Sequence, residues 1–573
     1  MEAKLTSNSI LYLRNCDPSQ FAIIKSWNLM KYSRKDGMFK GIASLELLNK
    51  LSQICKLPQR IELYRLQQQK IQDKLDNIRN AEKVDTIIEP PVKAPIKLFQ
   101  HQLRAYNMAM VQFGVIENNQ MSTTNKGFGL LFEMGCGKTL TAIAIVGTLY
   151  QKGLIKKILI VAPTSVCSVW PKEFDEYADY QYIVKTLLGT KAQRLKQLNE
   201  LRDFPIKSAL QVAVINYESV WRDELYEKIE EFAPDLIIAD ESQRIKTHDA
   251  QQSKAMHLLG DKAKFKLILS GTPVQNNALD LFSQFRFLDP TVFGTNYYAF
   301  KNRYCVMGGF KQKKVVAYRD LDQLIKKEIS VSLRVTKEEA LDLPEQTFEN
   351  RYIELSPKER KLYNEIKKES TTELENGESI TATTVLTKLL RLQQLTGGFL
   401  VTDESDKPVQ VSDGKLKALE DIIEDYVISA DKKLVVFCRF RSEIDIITKM
   451  LEHKKLKYGC IYGDIKLEER GEIVKDFQEN PETKVFVAQI DTAGLGITLT
   501  AADTCVYYSV NFNYAAYSQS LARIHRIGQR NTCTYIHLVV DKTVDELILK
   551  ALKNKEDLAH TIVDDWRKYF YKE

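Results

Sequence analysis

The chain has 573 residues, 44% of them hydrophobic and 27% charged, and its Lys plus Arg total of 82 against 75 Asp plus Glu gives a formal net charge of +7. This composition excludes fibrous, collagen-like and wholly disordered chains, and at about 150 residues per domain the length predicts three or four domains. The nine cysteines are scattered, which excludes a local zinc ribbon or thioredoxin-type pair. No apolar run reaches the roughly 18 residues of a membrane span, and the N-terminus lacks the apolar core of a signal peptide.

In chain order, SILYLRN reads as a short strand and residues 41 to 56 as a helix. After Pro58, the spacing of Tyr64, Ile71, Leu75 and Ile78 predicts an amphipathic helix. Pro90, Pro91 and Pro95 then mark a boundary, so residues 1–95 form an N-terminal accessory region. From Leu98 to Leu288 the runs GLLFEMG, KILIVAP, QVAVINY, DLIIADE and KLILSGTP read as buried parallel strands. They define an α/β lobe over 96–288. Residues 289–412 lack that rhythm and read as a helical insertion and connector, with a polar loop at TTELENGESITATT. The rhythm resumes in KLVVFCRF, YGCIYG, KVFVAQI, TCVYYSV and TYIHLVV, predicting a second doubly wound lobe over 413–540. Thr543 and Glu546 form a capping box opening a helical brace over 541–573.

Three motifs carry chemistry. Gly135, Cys136, Gly137, Lys138 and Thr139 stand between a strand and a helix, the context of a phosphate-binding loop. There glycine backbone amides cradle phosphate at the helix N-terminus, Lys138 reaches the terminal phosphates and the Thr139 hydroxyl binds Mg2+. The upstream Gly of the eight-residue motif is absent. About a hundred residues on, Asp240 and Glu241 end another buried strand; such a pair serves to hold Mg2+ and to polarise the attacking water. In the second lobe, QSLARIHRIGQ places Arg523 and Arg526 three apart, read as one helical face and suited to stabilising charge on a transferring phosphoryl group. Because that lobe lacks a phosphate loop, ATP is expected to bind between two lobes.

Together these segments resemble helicase superfamily 2, and within it the switch/sucrose-non-fermenting (Swi/Snf-like) group of double-stranded DNA translocases. LFQHQ resembles the adenine-reading segment, with Gln102 as the base contact. EMGCGKT resembles motif I, APTSVCSVWPKEF motif Ia, DESQRIK motif II and VVFCRFRSEIDII motif IV. SGTPVQNNALDLFSQFRFLDPTVFG is the most diagnostic stretch, and TAGLGITLTAAD with QSLARIHRIGQ resembles motifs V and VI. The resemblance covers residues 96 to 560. Gln243 stands where His is commoner, Leu495 and Thr498 where many relatives have Gly and Asn, and Arg334 is single where many have two arginines.

The resemblance implies two RecA-like lobes and an ATP hydrolase using ATP and Mg2+, with Leu140 and Gly494 added to the nucleotide contacts. It also implies DNA contacts at Pro163, Thr164, Ser165, Asn216, Tyr217, Phe437, Arg439 and Thr498. The partner implied is DNA, double-stranded or branched, with no membrane and no structural zinc; an RNA-directed helicase and a non-catalytic scaffold are the alternatives. The compact motif style resembles bacterial or phage members, which implies a cytoplasmic protein, or a nuclear one in a eukaryote.

Charge by region is informative. Residues 1–95 hold sixteen Lys/Arg against ten Asp/Glu, a local +6, while the rest of the chain holds 66 against 65. The surplus, with Trp27, Tyr32 and Phe39 nearby, fits either a solvated basic face or a DNA-selecting module.

Overall fold

The computed structural model describes the whole chain apart from residues 7–8, 117–125, 206–207, 276, 309–313, 341–342, 369–370, 374–378, 382–384, 402–407, 496, 527 and 560–573. The chain forms two compact units, one holding Met1–Ala340 and the other Leu341–Asp557.

The first unit begins with an antiparallel sheet of β1 (Glu2–Leu5), β2 (Ile10–Arg14), β3 (Met30–Ser33) and β4 (Met38–Ile42), in the order β1-β2-β4-β3. Period-2 alternation decides which face is buried: Leu11, Leu13 and Phe39 enter a core with Leu47, Leu48 and Leu51 of the helix Leu45–Ile54. The amphipathic helix expected after Pro58 spans Gln59–Asn80. This N-terminal part is tied to the rest of the unit. Glu46 binds Lys327 at 2.7 Å and Arg303 at 3.3 Å, and Arg79 donates to the Ile329 carbonyl. Burial pushes the Glu46 carboxyl up, but Lys327, then Arg303 and Lys50, outweigh it and hold the group down at about 2.

The main sheet of this unit contains β5 (Lys126–Phe132), β6 (Lys157–Ala162), β7 (Tyr182–Thr186), β8 (Leu210–Asn216), β9 (Leu236–Asp240), β10 (Phe265–Leu269) and, beyond a hairpin of β11 (Cys305–Gly308) and β12 (Lys314–Tyr318), β13 (Ser332–Val335). Its order is β13-β5-β10-β9-β6-β8-β7 and every ladder is parallel. The apolar runs read from sequence are five of these strands; β8 is buried along its full length.

In the second unit, β14 (Gln346–Ile353), β19 (Leu434–Cys438), β20 (Lys457–Ile461), β21 (Thr483–Gln489), β22 (Thr504–Tyr507) and β23 (Cys533–Val540) form another wholly parallel sheet, in the order β14-β23-β22-β19-β21-β20. Between β14 and β19 lie two small ladders, β15 (Thr371–Glu373) with β16 (Ser379–Thr381) and β17 (Phe399–Val401) with β18 (Pro408–Gln410).

Two sequence boundaries are corrected. Residues 289–412 are not a separate connector, because β13 closes the edge of the first sheet and β14 the edge of the second. The polar loop expected over 371–384 contains the β15–β16 ladder, and its remaining residues lie outside the described ones. The terminal brace is the helix Val544–Ala559; its continuation to 573 lies outside the described residues. No described helix is long and apolar enough to cross a membrane.

Candidate nucleotide-binding site

The phosphate-loop segment follows β5. Gly135 and Gly137 take positive φ, 91° and 77°, and the helix Lys138–Gln151 starts directly after. Gly137 is required twice over: a side chain disfavours that backbone, and a Cβ there would sit 1.9 Å from Gln102 Nε2. Gln102 lies at the start of the helix Gln100–Gln112, accepts from the Phe99 amide at 2.8 Å and donates to the Cys136 carbonyl at 3.4 Å. His101 makes a 2.9 Å bond to that same carbonyl. Cys136 is buried, its thiol pushed up to about 11 by burial. Lys138 Nζ donates to the carbonyls of Phe132 at 3.0 Å and Glu133 at 3.5 Å. Thr139 and Leu140 follow in the first helical turn, half-buried.

Asp240 ends β9, which lies one strand from β5 across β10. Its Oδ2 accepts from Trp170 Nε1 at 3.1 Å and its Oδ1 from the Glu241 amide at 2.9 Å, while Tyr217 donates to its carbonyl at 2.8 Å. Burial, then the Glu241 charge, pushes the Asp240 carboxyl up to about 7, and the Lys138 charge opposes them. Glu241 is left-handed, φ 51°, which turns the chain out of the strand into the short helix Ser242–Ile245.

Gln243 links this turn to the end of β10. Its Nε2 donates to Glu241 Oε2 at 2.6 Å, its Oε1 accepts from the Ser270 hydroxyl at 2.7 Å, and the Thr272 amide donates to Ser270 Oγ at 3.1 Å. Ser242 and Gln284 extend the network to Pro273. Arg334 on β13 donates to the Leu131 and Gly271 carbonyls, both at 3.0 Å, and reaches Glu133 at 3.3 Å. One guanidinium thus fastens three segments next to the phosphate loop.

Of the residues expected to contact DNA, those at the adjacent ends of β6 and β8 come together. Asn216 Nδ2 donates to Thr164 Oγ1 at 3.1 Å and to Glu218 at 2.9 Å. Pro163 is buried, Ser165 is half-buried and Thr164 is exposed. Tyr217 and Phe437 require correction. Both are fully buried; Tyr217 supports Asp240, and Phe437 stacks on Tyr507 with ring centroids 5.7 Å apart. Their side chains serve packing, and neither residue has exposed surface for a ligand. Arg439 is half-buried over the Phe440 ring at 4.8 Å.

The arginine pair also departs from expectation. The helix Tyr514–Leu521 stops before it, so Arg523 and Arg526 lie on the following turn rather than on one helical face. The Leu499 amide donates to the Arg523 carbonyl at 2.9 Å, Arg523 Nη1 to the Ile497 carbonyl at 3.4 Å and Arg526 Nη1 to Thr498 Oγ1 at 3.0 Å. Thr498, read as a DNA contact, here holds Arg526. Gly494 lies in the short helix Ile490–Leu495, while Gly496 and Ile527 of these motifs, like Asn276 of the GTPVQNN stretch, lie outside the described residues.

Trp170, Ser270, Gln284 and Arg334 were not singled out as site residues from sequence. The signal for Arg334 was a charge inside a short apolar run, SLRV, which a buried strand admits only with partners.

The chain is similar to known proteins. The chain is 28% identical over 470 residues to the "Uncharacterized ATP-dependent helicase MG018" of Mycoplasma genitalium, covering 81% of this chain and 43% of that protein. It is 27% identical over 478 residues to the "Chromodomain-helicase-DNA-binding protein 1-like" of Mus musculus, covering 81% and 50%. The chain therefore spans half or less of the length of these two relatives. Among solved structures, the "Sulfolobus solfataricus SWI2/SNF2 ATPase core in complex with dsDNA" matches at 24% identity and a TM-score of 0.39, covering 85% of this chain and 97% of that one. The SNF2-related domain family matches residues 42–397 and the helicase conserved C-terminal domain residues 414–528. The chain belongs to the SNF2 (Swi/Snf-like) family of helicase superfamily 2.

Proposed function

We propose that the chain is an ATP hydrolase that uses turnover to move along double-stranded DNA. The observation that carries this reading is that the Gly135–Thr139 loop and the Asp240–Glu241 pair follow β5 and β9, two strands of one parallel sheet with only β10 between them, at the strand ends where ligands of such sheets bind. Family membership and the family names of the relatives support it.

The residues fit ATP and Mg2+. Positive-φ glycines leave amides at a helix N-terminus open to phosphate, and a buried carboxylate pushed up by burial and by Glu241 is a group that a divalent cation stabilises in its charged form. Thr139 and Asp240 would hold the ion, which supplies charge neutralisation on the phosphates when bound. Lys138, bonded only to two backbone carbonyls among the described residues, turns to the terminal phosphate. Glu241, oriented by Gln243, accepts the proton of the attacking water. Gln102 reads the adenine edge, with Leu140 and Gly494 lining the nucleotide, and Arg523 and Arg526 stabilise the transferring phosphoryl group. Thr164, Ser165, Asn216 and Arg439 contact strand phosphates without reading sequence.

The test is ATP turnover by Lys138→Ala, Glu241→Gln and Arg523→Ala. The first two lose turnover with the fold intact. Arg523→Ala loses turnover and keeps nucleotide affinity, because a transition-state contact adds little to ground-state binding. Near-normal hydrolysis by Lys138→Ala or Glu241→Gln overturns the site assignment.

A further inference from the structure

The N-terminal sheet has one face in its core and one face outward, and the outward face carries an ordered row. In the ladder register Lys4 pairs with Tyr12, Tyr12 with Lys40 and Lys40 with Lys31, so a single transverse line crosses all four strands. Lys4, Lys31 and Lys40 are exposed, Tyr12 is half-buried, and the Lys40 ammonium stands 5.7 Å from the Tyr12 ring centroid. Directly opposed lysines on neighbouring strands repel. Folding gains nothing from that pairing, and neither Lys31 nor Lys40 makes an ion pair among the described residues.

At its β3 end this row opens into a cleft of about 1270 Å3, bounded on the far side by the segment Pro290–Tyr304. Its described lining contains six Lys or Arg and no Asp or Glu. Four of the six are committed to carboxylates: Arg286 to Asp261, and Arg303, Lys327 and Lys50 to Glu46. Lys31 and Lys40 remain for a ligand. The cleft also presents aromatic surface. Tyr298 is 69% exposed and meets Tyr297 edge-on, while Tyr297 stacks on His248 at 3.6 Å; half-buried Trp27 also lines the cleft, with the Lys50 ammonium 5.8 Å from its ring centroid. The volume exceeds the roughly 300–1,000 Å3 of small-molecule sites, which favours an extended polyanion, and the open ring of Tyr298 beside unpaired lysines suits a strand whose bases are free to stack.

We propose that the outward face of the N-terminal sheet and the cleft it borders bind single-stranded DNA, as a site separate from the motor's strand-phosphate contacts. The choice of DNA over another polyanion rests on the reading of the chain as a DNA motor. Lysines of the row take phosphates, and Tyr298 takes a base face, with Trp27 within reach at the cleft lining.

The test uses the full chain without ATP, so failure of the motor reading leaves its result readable. A fluorescent oligothymidylate carrying 5-iodouracil is titrated by anisotropy over a range of salt and then photo-crosslinked, with crosslinked residues located by mass spectrometry. Crosslinks are expected at Tyr298 or Trp27. Tyr298→Ala should weaken binding about five-fold or more, the lower end of one lost base stack, and Lys31→Ala/Lys40→Ala should flatten the log–log salt slope by about 1.4, two phosphates on a single strand. Thermal unfolding of each variant establishes that it is folded. Crosslinks confined to the Thr164 and Asn216 region, or folded variants that bind with wild-type affinity and salt slope, would overturn the proposal.

Discussion

Gln243 offers a sharp test of how the acidic turn works, because its one amide group faces a donor and an acceptor at once. The Nε2 group donates to Glu241 at 2.6 Å and Oε1 accepts from Ser270 at 2.7 Å, with the side chain nearly buried. Gln243→Ala removes two hydrogen bonds at about 1 kcal/mol each and leaves Glu241 free to rotate. Gln243→Glu keeps the shape and reverses the interaction. Two carboxylates about 2.6 Å apart at an effective dielectric of 20 repel by about 6 kcal/mol, so the side chains separate and Glu241 leaves its position. The account therefore expects kcat for ATP to fall about ten-fold in Gln243→Ala and at least about a hundred-fold in Gln243→Glu, since each 1.36 kcal/mol of barrier is a factor of ten. KM should change little in either, because neither substitution touches a phosphate contact. Steady-state ATP turnover on saturating DNA is the assay. A Gln243→Glu protein as active as Gln243→Ala would refute the reasoning, since it would show that Gln243 does not orient the carboxylate.

Other consequences concern stability. Arg334→Ala removes the donors to two carbonyls at a nearly buried site and the cation partner of Glu133, which keeps the Lys337 amide, so urea unfolding should show a loss of about 3 kcal/mol; a loss below about 1 kcal/mol, the value of an exposed pair, contradicts this role. Gly137→Ala should leave the fold in place but abolish tight nucleotide binding. Adding Gln102→Ala removes the clash and restores only part of the affinity, because the left-handed backbone still costs about 1–2 kcal/mol and the adenine contact goes with the amide; full restoration would contradict both the strain and the adenine role of Gln102. Glu443 is fully buried, and burial pushes its carboxyl up to about 7 against hydrogen bonds from Ser509, Phe440 and Arg439. The native state then keeps a proton that the unfolded chain has released above its ordinary 4.5, so stability falls as pH rises through that window. Glu443→Gln should remove that slope, worth up to about 3 kcal/mol between pH 5 and 8, and identical pH profiles for the two proteins would contradict the assignment.

The central strands were legible because a strand buried on both faces reads as a continuous apolar run, as in KILIVA of β6 and LVVFC of β19. Edge strands carry no such signal. β14 is exposed over most of its length and mixes charge with aromatics, and β13 is four residues around a buried arginine; their pairing is set by partners some two hundred residues away. The same limit explains the site. Glycine spacing placed the phosphate loop because local backbone conformation demands glycine, whereas Tyr217 lies just past β8 and is buried by tertiary packing, and Phe437 is buried because β19 is covered on both faces. The Arg523 turn is fixed by a backbone bond from Leu499, a tertiary contact that helical periodicity cannot anticipate.

Whether these residues serve a motor on duplex DNA is decided by which nucleic acid drives ATP turnover. ATP turnover measured without nucleic acid and with saturating duplex DNA, single-stranded DNA and RNA tests it most directly. Duplex DNA should stimulate turnover most, and Lys138→Ala should abolish that stimulation; stimulation by RNA alone would contradict the claim.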